Sequence, residues 1–76
     1  MSERRLIDAR GAFCPGPLME MIAALKLIGV GDEIEVLSSD TGTAKDLPEW
    51  VAKVGHEMVD VTECDGHWSL VVRKAK

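Results

Sequence analysis

A chain of 76 residues, 46% hydrophobic and 29% charged, has room for one small domain, residues 1–76, whose core supplies only about 3 to 5 kcal/mol of net stability. No run approaches the roughly 18 uninterrupted apolar residues of a membrane span, and Met1-Ser2-Glu3-Arg4-Arg5 leads toward a strand without an apolar signal core, so a soluble, cytoplasmic protein without membrane contact is expected. A formal charge of −4 argues against direct nucleic-acid binding, which normally needs a basic excess, and points to a protein partner.

Residues 5–9 (Arg-Leu-Ile-Asp-Ala) read as a short strand, and Arg10-Gly11-Ala12-Phe13 as a loop that delivers Cys14 to the start of a helix. The tetrapeptide Cys14-Pro15-Gly16-Pro17 is the most informative feature of the chain. Proline is favoured as the first helical residue, because its missing N–H has no partner there and its φ already suits the helix; Pro15 in that place makes Cys14 the N-cap. The first N–H groups of a helix are unpaired and its dipole leaves positive charge at that end, which stabilises a thiolate. Cysteines so placed titrate at about 3.5 to 7.5 instead of about 8.5. The alternative is a small buried cysteine closing a turn; the proline that follows favours the reactive reading. Pro17 rules out a resolving cysteine at Cys-x-x-Cys spacing, so any thiol exchange is intermolecular.

Between residues 17 and 28, Leu18, Met21, Ile22, Leu25 and Ile28 recur at helical spacing, and Gly29 and Gly31 supply the stop. Met19, Ala23 and Leu27 form a second stripe, either solvent-facing and suited to docking or part of a wide core face. Residues 32–38 alternate Ile34 and Val36 against Glu33 and Glu35, as a half-buried strand does. Thr43-Ala44-Lys45-Asp46 resembles a helix cap. Ala44, Leu47, Val51 and Val54 then recur up to Gly55, and Pro48 predicts an irregular first turn with the regular helix over residues 47–54. Residues 56–63 place Val59 and Val61 on one face, and residues 67–73 place Trp68, Leu70 and Val72 on one face. Asp65-Gly66 between them predicts a hairpin with a type I′ turn. The order β-α-β-α-β-β predicts an α+β two-layer sandwich, with two helices on one face of a mixed four-stranded sheet and the other face wet. Trp50 and Trp68 are expected in the core, one from each layer.

With these residues in place, the chain resembles the TusA/SirA-like sulfur-carrier family, marked by Cys-Pro-x-Pro at the start of the first helix. The likeness extends over Ile7-Asp8-Ala9-Arg10-Gly11, Cys14-Pro15-Gly16-Pro17, the run Asp40-Thr41-Gly42-Thr43-Ala44-Lys45-Asp46-Leu47-Pro48, Gly55-His56-Glu57, and Leu70-Val71-Val72-Arg73-Lys74. It implies the same fold. It also implies that Cys14 accepts sulfane sulfur as a persulfide or thiosulfonate and relays it to another protein, without cofactor or metal. Implied donors are a cysteine desulfurase, a rhodanese-like protein or thiosulfate; a DsrE-like protein is an implied acceptor. Transfer RNA thiolation, molybdenum-cofactor sulfuration and dissimilatory sulfur metabolism all remain open. Pro15, Gly16 and Pro17 would support the cysteine loop. Arg10 and Lys45 would offer cationic support and Asp46 a polar contact, against the alternatives of capping and surface solvation; Asp8 would anchor the loop.

Cys14, His56, Cys64 and His67 lack the paired ligand clusters of a structural zinc site. Cys64, beside the hairpin turn, reads as structural or incidental, and the two cysteines, fifty positions apart, do not make a disulfide framework. The rival function is a non-catalytic binding or regulatory module in which Cys-Pro-Gly-Pro is only a rigid loop.

Overall fold

The computed structural model describes residues 4–12 and 16–76. In chain order the elements are β1 (Arg4–Asp8), α1 (Gly16–Leu25), β2 (Glu33–Ser38), α2 (Thr41–Val54), β3 (Glu57–Cys64) and β4 (His67–Arg73). The sheet order is β1-β2-β4-β3; β1 and β2 are parallel and the other two pairings antiparallel. Parallel pairing requires a crossover, which α1 supplies. Both helices cover one face, giving the expected two-layer α+β sandwich.

The alternation in β2 decides which face that is. Ile34, Val36 and Ser38 are buried, whereas Glu33, Glu35 and Leu37 on the other face are half-buried. Ile34 and Val36 stand opposite Val72 and Leu70 of β4, and Met21, Ala24 and Leu25 of α1 and Leu47 and Val51 of α2 close over them. Trp50 and Trp68 pack against this cluster from the two layers. The uncovered face carries a row of alternating charge running straight across all four strands. Arg4, Glu33, Arg73 and Glu57 are register partners, joined by ion pairs of 2.9, 2.9 and 3.0 Å.

Four local expectations are corrected. First, α1 ends at Leu25, not Ile28: Lys26 and Leu27 donate their N–H groups to Ala23 and Ala24 three residues back, tightening the chain out of the α-helix. Ile28 still packs on the core from beyond the helix. The second stripe faces solvent, with Met19 57% and Leu27 72% exposed. Second, α2 begins at Thr41, and its cap is Asp40 instead of Thr43. Pro48 lies inside the helix, and Leu47 beside it is fully buried, so core packing holds the turn that proline alone would loosen. Third, β3 carries a bulge between Met58 and Asp60. The extra residue, Val59, puts Val61 in phase with Met58, opposite Leu70 and Val72, so the two valines do not share a regular face. Fourth, Asp65-Gly66 joins the hairpin, but only Gly66 has positive φ (82°), which excludes a type I′ turn.

Candidate functional site

Because β1 and β2 run parallel, their carboxyl ends emerge at the same edge of the sheet, where α1 and α2 begin. The segment leading toward Cys14 is built there. The Ala9 N–H continues the ladder to Leu37 O at 2.8 Å. Arg10-Gly11 then forms a turn closed by the Ala12 N–H on Ala9 O at 3.1 Å. The φ of +88° at Gly11 is the conformation that the third position of a type II turn demands. The Gly11 N–H donates to Ser39 Oγ at 2.8 Å, which ties this turn to the β2–α2 loop 28 residues away.

Asp8 braces the same turn. Its Oδ1 accepts from the Arg10 backbone N–H (3.2 Å) and from Arg10 Nε (2.9 Å), and its Oδ2 from Arg10 Nη2 (2.7 Å). The guanidinium and backbone bonds from Arg10, with a smaller contribution from His67, hold the Asp8 carboxyl at about 2. Asp8 anchors the loop, as expected, and Arg10 stands in the loop with its charge paired.

The neighbouring loop is organised by Asp40. Its N–H donates to the buried Ser38 Oγ at 3.1 Å, and its Oδ2 accepts from the Thr43 N–H at 3.1 Å and from Thr43 Oγ1 at 3.0 Å. Two donors at the start of α2 therefore meet one carboxylate. Lys45 and Asp46 follow on the first turns of α2, both exposed, at the same edge of the molecule. Gly16 opens α1 and is exposed; Pro17 is fully buried in the first turn, where a missing N–H costs no hydrogen bond. The first turn of α1 holds no acidic side chain, so none of its own carboxylates neutralises the dipole's positive end. Phe13, Cys14 and Pro15 lie outside the described residues, and with them the placement of Cys14 as N-cap and Pro15 as first helical residue.

The structure thus brings Arg10, Gly16, Pro17, Lys45 and Asp46 to one end of the fold. Ser39 and Ser38 were not singled out from the sequence. Their partners are Gly11, 28 residues distant, and the Asp40 backbone, and no local pattern announces the first of these. Asp40 did carry a signal, since aspartate ranks among the best N-caps. Cys64 is partly buried opposite His67 across the hairpin, and among the described residues no group of three metal-ligating side chains converges.

Comparison with known proteins bears on this arrangement. The family model described as Sulfurtransferase TusA matches residues 5–74. A putative sulfur carrier protein of Archaeoglobus fulgidus is 58% identical over 71 residues, covering 93% of this chain and 97% of the relative. The sulfur carrier protein TusA of Pseudomonas aeruginosa is 30% identical over 69 residues, covering 91% and 87%. The crystal structure of a SirA-like protein from Desulfitobacterium hafniense superposes with a TM-score of 0.85 at 24% identity, over 97% of this chain and all of that one, a likeness of fold.

Proposed function

The chain belongs to the TusA sulfurtransferase family, and from that premise we propose that it is a sulfur carrier whose Cys14 accepts sulfane sulfur as a persulfide and passes it to a partner protein. The observation that carries this reading is the family match over residues 5–74, a span that contains Cys14-Pro15-Gly16-Pro17. The Cys14 thiolate attacks the terminal sulfur of a donor persulfide, an S–S bond forms to Cys14, and the donor leaves as its own thiolate. An acceptor thiolate repeats the exchange in the opposite sense, with no net oxidation. The fold supplies suitable surroundings. The amino end of α1 lies at the edge where both parallel strands end, and its first turn carries no acidic side chain, so the positive end of its dipole favours a thiolate or a persulfide anion there.

In this reading Asp8 and Arg10 hold the loop ahead of Cys14, while Gly16 and Pro17 start the helix behind it. Lys45 and Asp46 supply charged neighbours from α2. The donor is a cysteine desulfurase or rhodanese-like protein and the acceptor a DsrE-like protein, all meeting Cys14 in the cytoplasm. Intact-protein mass spectrometry tests the proposal, after incubation with a cysteine desulfurase plus cysteine and, separately, with thiosulfate. The expected result is a reductant-sensitive adduct of one sulfur atom, present in wild type and Cys64→Ser and absent from Cys14→Ser. A thiosulfonate adduct would replace the persulfide as the carried group. No adduct, or one that follows Cys64, would overturn the assignment and favour a binding module that tolerates Cys14→Ser.

A further inference from the structure

At the end of the molecule away from the cysteine loop, the carboxyl ends of α1 and α2 part to leave an open groove of about 320 Å3. Its apolar side is made by Ile22 of α1 and by Trp50 and Val54 of α2; its rim carries Lys26, Lys74 and Lys76. All four ion pairs among the described residues are made by arginines, so none of these lysines is matched by a carboxylate there. Lys74 Nζ spends one hydrogen on Ile28 O at 2.8 Å and keeps two. Lys76 folds back over the end of α2, where a methyl group on Gly55 would stand 2.7 Å from its Cε. His56 Nδ1 accepts the Ala75 N–H at 3.1 Å, and a neutral ring then carries its hydrogen on Nε2, a further donor.

Helix carboxyl ends attract lysines without any ligand, but each contributes only about −0.5 of a charge, so two offset about one of the three ammonium groups. A positive excess remains beside an apolar surface, in a protein of net charge −4. We infer that this groove binds a small amphipathic carboxylate, its apolar body against Trp50 and Ile22 and its carboxylate among Lys26, Lys74 and Lys76. The size favours a free small molecule over a protein. Eight residues line the groove, whereas a protein interface takes roughly 20 to 30 on each side. The volume falls near the lower end of ligand clefts, which run from about 300 to 1,000 Å3.

Octanoate serves as the probe, followed by amide and indole NMR shifts of the intact protein, with 1-octanol as the uncharged control of equal chain length. Saturable shifts centred on Lys26, Trp50 and His56 are expected, with affinity at least about tenfold weaker for octanol and for the double variant Lys26→Glu/Lys76→Glu, both positions being exposed. Rising salt should weaken octanoate binding to the wild type, a readout that needs no variant. Shifts that never saturate, equal affinity for octanol and octanoate, or insensitivity to both the double substitution and salt would overturn the inference.

Discussion

Asp8 is the residue whose local chemistry reaches furthest, because one carboxylate holds both the backbone and the guanidinium of Arg10 in the turn before Cys14. Its folded value of about 2 lies below the unfolded value of about 3.9, so it stabilises the fold above the unfolded value and ceases to as pH falls from about 3.9 to about 2. Carbon-detected titration of the Asp8 carboxyl should show a midpoint near 2 in wild type, moving up toward about 3.9 in Arg10→Gln. Glu33 is displaced in the same direction by Arg73 and then Arg4, so the acid limb of stability should report both carboxylates. At Asp40, two hydrogen bonds from Thr43 converge on one oxygen. Asp40→Ala should cost about 0.5 to 2 kcal/mol in chemical denaturation, and Asp40→Asn should recover much of it, as asparagine caps nearly as well.

Among the elements, the helices respond to context more than to propensity. Gly16 opens α1 without positive φ, and among the described residues a methyl group added there would meet Ala12 Cβ at 4.0 Å, an ordinary contact. Gly16→Ala should therefore raise stability by about 0.4 to 1 kcal/mol, chiefly by restricting the unfolded chain, and should leave the proposed sulfur loading of Cys14 intact. Calorimetry and the mass-spectrometric assay check the two halves of that statement. In the sheet, alternating Arg4, Glu33, Arg73 and Glu57 make the uncovered face compatible with water, although exposed ion pairs individually contribute little. At the edge strand β3, the bulge after Met58 breaks the regular ladder, a device that discourages pairing with a further strand.

At the scale of the molecule, one small core carries the architecture. Leu47 is fully buried among residues from both layers. Leu47→Ala should cost about 2 to 5 kcal/mol, comparable with the whole net stability of such a domain, so circular dichroism should find the variant largely unfolded near body temperature.

How much of this was legible beforehand follows from the range of each interaction. Ile34 and Val36 against Glu33 and Glu35, the Leu18-to-Leu25 spacing, and Asp65-Gly66 between two alternating runs record local periodicity, so element order and the two-layer sandwich could be read from them. The family likeness of Cys14-Pro15-Gly16-Pro17 could be read as well, because it resides in residue identity. The start of α2 is not legible in the sequence, because several residues of the Asp40–Thr43 run can cap a helix and the choice depends on Ser38 and the buried Thr43. Neither the bulge at Val59 nor the end of α1 leaves a mark in hydrophobic period; both express how the chain fits its neighbours. By itself, then, the sequence determined the elements, the buried faces and the thiol motif, since these depend on the order of side chains along the chain. Three features arise only on folding: Ser39 grips the turn at Gly11, four charges align across the sheet, and three lysines gather at one apolar groove. Each of these joins residues far apart in the chain, and strand pairing and helix packing alone set the distances between them.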